Sequence, residues 1–147
     1  LIPDFQGVER HLDRILEVSP EVISHNMETV RRLTREVRIQ AKYDRSLGVL
    51  KYLKESGARR TKSGIMLGLG ETREEVLQTL EDLRGAGVDI VTIGQYLQPS
   101  KKHLPVTRFV TPEEFPAYRE AGLEMGFRHE ESGALVRSSY KAHKHID

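Results

Sequence analysis

The 147-residue sequence contains no cysteine and no tryptophan. Without cysteine the chain can form no disulfide and can offer no thiolate to a metal. It has no apolar run near the ~18 residues that cross a bilayer, which excludes a membrane-spanning helix. An excess of one charge is missing too: 23 Lys and Arg stand against 22 Asp and Glu, a net +1. No global field therefore favours nucleic acid. What is present, 37% hydrophobic and 31% charged residues, describes a globular protein with a modest core. At ~100–200 residues per domain, the expectation is one domain or part of a larger one.

The chain opens Leu1-Ile2-Pro3-Asp4-Phe5, with neither a basic stretch nor a hydrophobic signal core. This opening reads as the tail of a buried strand running into a loop. The chain is therefore expected to be the C-terminal portion of a longer polypeptide.

Helical and strand patterns alternate. Val8, Leu12, Ile15 and Leu16 mark an amphipathic helix over 8–18 that ends before Pro20. A short β-branched run over 21–26 follows, then a helix marked by Val30, Leu33 and Val37. A third helix is predicted from Asp44, as N-cap, to Gly57. Residues 63–69 form an apolar run bounded by glycines, as a strand buried on both faces would read. Thr72-Arg73-Glu74-Glu75 is a capping box that opens a helix. A second buried strand covers 89–97. Thr111, Pro112 and Glu114 look like N-cap, N1 and N3 of a last helix that ends near Met125. The tail, 128–147, shows no periodicity. Such alternation indicates βα units on a parallel sheet, either doubly wound or closing as a barrel. In both layouts ligands sit at the C-terminal strand ends. Those ends are Asp4-Phe5, His25-Asn26, 68–71 and 95–100.

Each end carries residues with two readings. Gly64-x-Met66-x-Gly68-x-x-Glu71 suits close approach of a flat ligand to backbone, or it is a strand-to-helix turn with an acid near a helix N-terminus. It is no dinucleotide fingerprint, because Arg73 stands where the last glycine belongs. Asn26 can reach a ribose hydroxyl, or it is a turn residue beside a satisfied His25. Gln95, Tyr96 and Gln98, followed by Lys101, Lys102 and His103, can hold a planar ligand and an anion, or form an ordinary solvated loop. Arg31, Arg32, Arg35 and Arg38 make a solvated helix face or a docking surface for an acidic partner. The histidines show no metal-ligand spacing.

Five stretches in order carry a resemblance: 1–5, His25 to Thr29, Thr61 to Thr72, Gly94 to Ser100, and Val136-Arg137-Ser138-Ser139-Tyr140-Lys141-Ala142. Together they resemble the lipoyl synthases, a family of radical S-adenosylmethionine (SAM) enzymes. The resemblance implies the C-terminal part of a partial (β/α)6 TIM-like barrel over 1–127 and a C-terminal extension over 128–147. It implies a sulfurtransferase that inserts sulfur at C6 and C8 of an octanoyl chain on a lipoyl carrier domain, in lipoate biosynthesis. SAM and two 4Fe–4S clusters are the implied cofactors, with the cluster cysteines upstream of Leu1 and the chain inactive alone. Implied partners are octanoylated E2 subunits of 2-oxoacid dehydrogenases, the H protein of glycine cleavage, and an electron donor such as ferredoxin or flavodoxin. The implied location is the cytoplasm, or mitochondria in a eukaryote. By the same resemblance Ser139 is the ligand to the auxiliary cluster, and Arg137 is expected to favour the ligand's anionic oxygen. Asn26, Gly64, Met66, Gly68, Glu71, Gln95 and Tyr96 are expected to bind cofactor. Biotin synthase, which should lack Arg137-Ser138-Ser139-Tyr140, and a non-catalytic half-barrel that binds a carrier are the alternatives.

Overall fold

The computed structural model describes residues 1–137 and His145. Four parallel strands, β1 (Ile23–Ser24), β2 (Thr61–Leu67), β3 (Ile90–Gln95) and β4 (His129–Ser132), lie side by side in chain order. Five α-helices accompany them: α1 (Glu9–Val18), α2 (Thr34–Val37), α3 (Tyr43–Glu55), α4 (Arg73–Gly85) and α5 (Glu114–Met125). A doubly wound sheet would reverse its strand order at a switch point; this order never reverses, as in a barrel wall. Ile2 donates its amide to the Ser24 carbonyl at 2.8 Å, so the first residues run beside β1.

The sheet's two faces differ. Ile65 and Leu67 on β2 and Val91 and Ile93 on β3 join Leu80 and Leu83 of α4 and Phe115 of α5 in the main core. A smaller core beneath α1 and α3 packs Leu12 on Ile23, Val49 and Leu53. The alternate residues, Lys62, Gly64 and Met66 on β2 and Thr92 and Gly94 on β3, occupy the opposite face. Both faces of β2 and β3 are thus buried, for different reasons.

The Thr72 capping box is present: the Glu75 amide donates to Thr72 Oγ1 at 3.2 Å, and the Thr72 amide to Glu75 Oε1 at 2.9 Å. Four expectations need correction. The helix over 30–37 is a 3-10 turn, Arg31–Leu33, followed by only four α-helical residues. α3 begins at Tyr43 with Lys42 as N-cap; Asp44 lies inside its first turn, 2.7 Å from the Arg31 guanidinium. α5 begins at Glu114 with Glu113 as its N-cap, and Thr111 lies in the turn ahead of it, its amide donating to the Glu114 carboxylate at 2.8 Å. The tail supplies β4, whose polar residues pair with β3.

Candidate functional site

Three inward positions fall on one row across the sheet. Gly64 and Thr92 are paired, and Asn26 follows β1 two residues beyond Ser24, the partner of Lys62. A Cβ built on Gly64 would stand 2.7 Å from Thr92 Oγ1 and 3.2 Å from Asn26 Oδ1. Only glycine leaves the row flat. One row up, Gly94 plays the same part: a Cβ there would meet the Val136 carbonyl oxygen at 2.3 Å. These glycines floor a cavity of about 300 Å³ at the C-terminal ends of β2 and β3, walled by Asn26, Glu28, Met66 and Arg137 among others. The size is at the lower end of the ~300–1,000 Å³ typical of small-molecule sites.

Glu28 is the charged group in this wall that the sequence reading passed over. Its backbone is left-handed, with φ +68°. Its amide donates to the Gly64 carbonyl at 2.9 Å and its carbonyl accepts from the Met66 amide at 2.8 Å, so it bridges to β2 opposite Ile65. Burial pushes its carboxyl above the ordinary glutamate range, against an opposing hydrogen bond with Asn26 and the charge of Arg38. A strained, half-buried carboxylate beside an amide is a polar pair suited to hydroxyl groups. The available signal was its spacing, since Asn26 and Glu28 stand at i and i+2 beyond a strand. Thr92, on the same row as Gly64, was also passed over.

Asn26, Gly64, Met66, Gln95 and Arg137 therefore share one cavity. The Gln95 side chain is committed, however. Its Nε2 donates to the carbonyls of Tyr96 at 2.9 Å and Arg108 at 3.2 Å, and its Oε1 accepts from the Val110 amide at 2.8 Å. It fastens the 108–110 segment to the end of β3. Tyr96 contributes in a similar way, its hydroxyl donating to the Leu104 carbonyl at 2.7 Å. Gly68 and Glu71 stand apart from the cavity. The Glu71 carboxylate turns back to accept from the amides of Gly68 and Leu69, each at 3.0 Å, closing its own loop. Gly68 has φ +100°, and a Cβ there would lie 2.4 Å from Gln95 Nε2. The Arg137 guanidinium donates to the Val136 carbonyl at 2.9 Å at the cavity wall. Ser139, with the rest of the Ser138–Lys144 stretch, lies outside the described residues.

The arginine face is largely spoken for. Arg31 pairs with Asp44 and stacks 4.2 Å over the Tyr43 ring. Arg32 forks onto both Glu75 oxygens at 2.9 Å and the Gly70 carbonyl at 2.8 Å. Arg38 donates to the Met27 carbonyl at 3.2 Å. Arg32 holds the Glu75 carboxyl down at about 2. No group of three or more His, Asp or Glu among the described residues could hold a metal ion, and no helix among them is long and apolar enough to cross a membrane.

A family model described as the Radical SAM superfamily matches residues 2–95. A lipoyl synthase of Christiangramia forsetii is 78% identical over 147 residues, all of this chain and 50% of that protein. A lipoyl synthase of Flavobacterium johnsoniae is 77% identical over 99% of the chain and 51% of that protein. A mitochondrial lipoyl synthase of Nematostella vectensis is 74% identical over 99% of the chain and 50% of that protein. The chain thus spans about half the length of the curated relatives it matches.

Proposed function

The chain belongs to the radical SAM superfamily, and from that premise we propose that it supplies the SAM-cavity half of a lipoyl synthase. The proposed reaction replaces one hydrogen at C6 and one at C8 of an octanoyl chain, amide-linked to a carrier-domain lysine, with sulfur. The observation that carries the reading is the glycine-floored cavity with the Asn26–Glu28 pair at its wall.

These residues fit SAM. Gly64 and Gly94 lack the side chains that would collide with Thr92, Asn26 and the Val136 carbonyl, so those groups can close around the cavity. Asn26 and Glu28 together offer a donor and acceptors to vicinal hydroxyls, and Met66 offers apolar contact. Gln95, Tyr96, Gly68 and Glu71 act at one remove, holding the surrounding loops in place. SAM, when bound, supplies the radical that removes substrate hydrogen. The residues do not fit the two 4Fe–4S clusters that the reading calls for. The chain has no cysteine, and clusters are held by thiolates. The reading keeps Ser139 as an oxygen ligand and Arg137 as its electrostatic support, with 1–127 as barrel units and 128–147 as extension. Octanoylated E2 subunits and the H protein would be the substrates, and ferredoxin or flavodoxin the electron donor. The location would be the cytoplasm, or mitochondria in a eukaryote.

The test is a chimera in which this chain replaces the matching half of the Christiangramia forsetii protein. Incubated anaerobically with SAM, dithionite and octanoylated H protein, it should yield lipoylated product by mass spectrometry at a rate within tenfold of its parent. A chimera that folds and binds SAM yet gives no product refutes the proposal. Ser139→Ala in that chimera should stop sulfur insertion while SAM cleavage persists.

A further inference from the structure

Beside the opening residues lies a different cavity, about 400 Å³ in volume, lined by Asp4, Gln6, His25, Arg38 and Arg45 among others. Part of its wall is a strained turn. Phe5, Gln6 and Gly7 are all left-handed, with φ +48°, +55° and +75°, and only the last is a glycine, so the first two hold a backbone that disfavours a Cβ. The Asp4 carboxylate closes the turn by accepting from the Gln6 amide at 2.9 Å. Across the cavity His25 is fully engaged: its Nδ1 donates to the Ile2 carbonyl at 3.0 Å, and its Nε2 accepts from the Ser46 hydroxyl at 2.8 Å. Burial holds the imidazole below the ordinary histidine range, so it lines the cavity as a neutral ring.

The two guanidiniums keep most of their donors unused. Arg38, half-buried, has five N–H groups and makes one hydrogen bond among the described residues, to the Met27 carbonyl at 3.2 Å. Burial works against its charge, and the carboxylates of Glu28 and Asp4 only partly offset that. Arg45 stands 3.8 Å from the Asp4 carboxylate, an ion pair too long for a hydrogen bond. A partly desolvated guanidinium without acceptors is unfavourable until an anion joins it. The charge count in the wall sets which anion suits. Arg38 and Arg45 against Asp4 leave a balance of +1, which matches a singly charged carboxylate. A doubly charged phosphate would exceed that balance with Asp4 in the same wall. The two oxygens of a carboxylate also fit the fork of a guanidinium.

We propose that this cavity takes up one carboxylate, that of an acidic side chain close to the acylated lysine of the carrier, with Arg38 and Arg45 as its donors. The source of the carboxylate rests on the lipoyl synthase reading. His25 directly follows β1 and the opening residues run beside that strand, so the cavity lies at the C-terminal strand ends, as the glycine-floored one does. A carrier that delivers its lysine there presents the neighbouring side chains to Arg38 and Arg45. The choice of a carboxylate rests on the cavity alone.

The test is fluorescence anisotropy of the chimera with labelled octanoyl-lysine peptides that carry Glu or Gln at each flanking position in turn. At one position Glu should bind about tenfold tighter than Gln, the worth of a charge-assisted hydrogen bond. Arg38→Gln and Arg45→Gln should each bring the Glu peptide to the affinity of the Gln peptide and leave the Gln peptide unchanged. Arg45 is partly exposed on α3, so its replacement keeps the test open should Arg38→Gln fail to fold, and Arg45→Lys should retain part of the preference. Arg35→Gln removes the same charge from an exposed position on α2 outside the cavity wall and should keep the whole preference. No preference at any position, or one that Arg35→Gln abolishes as fully, overturns the proposal. So does displacement of the Glu peptide by free N-acetylglutamate at equal concentration, which would mark a site for a small acid. A preference in a chimera that makes no lipoylated product supports the cavity while refuting the function, and an active chimera without one does the reverse.

Discussion

Gly94→Ala is the most direct perturbation of the way the tail closes the cavity. The new methyl would lie 2.3 Å from the Val136 carbonyl oxygen, where an ordinary contact needs at least 3.4 Å. One of two things must give. If the strand and tail stay in place, overpacking costs ~1–3 kcal/mol. If the tail lifts, Val136, now 7% exposed, loses its burial, worth ~1.5–3 kcal/mol. Both routes arrive at the same range, and at ~2–4 °C per kcal/mol for a chain of this size the melting temperature should fall by about 2–12 °C. Lifting the tail also removes Arg137 from the cavity wall, so SAM affinity should drop. Gly48→Ala is the internal control. It sits in α3 with nothing within 4 Å of a new Cβ, so it should gain ~1 kcal/mol from helix propensity and leave SAM binding alone. Differential scanning fluorimetry with and without SAM reads both. If the two substitutions move the melting temperature alike, the tail does not cross β3 at Gly94 and the argument fails.

Further outcomes can be checked in the same protein. Burial lifts the Glu130 carboxyl to about 7, whereas in the unfolded chain it titrates near the ordinary glutamate value of 4.5. Between those values the unfolded state holds fewer protons, so stability should fall as pH rises from 4.5 through 7, by roughly 3 kcal/mol in all. Glu130→Gln should remove that slope in urea titrations at pH 5 and 8, and equal slopes in both proteins would contradict it. Thr72→Ala should cost ~1 kcal/mol by breaking the capping box, with Thr72→Ser restoring most of it. Asn26→Ala and Glu28→Gln should each weaken SAM binding roughly three- to tenfold, the worth of one or two lost hydrogen bonds, and unchanged titration calorimetry would disprove their role. Gly68→Ala combines a left-handed backbone with a 2.4 Å approach to Gln95 and should cost ~3 kcal/mol or more. Gly57→Ala, left-handed but with open space around it, should cost only ~1–2 kcal/mol.

The elements that announced themselves did so through local physics. The Thr72–Glu75 box needs only four consecutive residues, and it forms as expected. The apolar runs of β2 and β3 show in any window of six or seven residues. Where expectation slipped, a partner distant in sequence had intervened. Asp44 is drawn to Arg31 instead of capping α3. His-Glu-Glu-Ser over 129–132 carries no strand pattern of its own. It is extended because the open edge of β3 pairs with it, and an edge accepts polar side chains that a central strand would not.

The sequence by itself determined the alternation of helix and strand and the family resemblance, because propensity, periodicity and motif order are written within short windows. Tertiary structure alone decided what those residues do. Asn26, Gly64 and Thr92 become neighbours only through strand register. Gln95 and Glu71, candidates for ligand contact by position, spend their hydrogen bonds on Val110, Arg108, Gly68 and Leu69. Glu28 emerges as a cavity carboxylate through a left-handed turn beside β2. Pairing across tens of residues sets which atoms are already satisfied, and a local pattern holds no record of that.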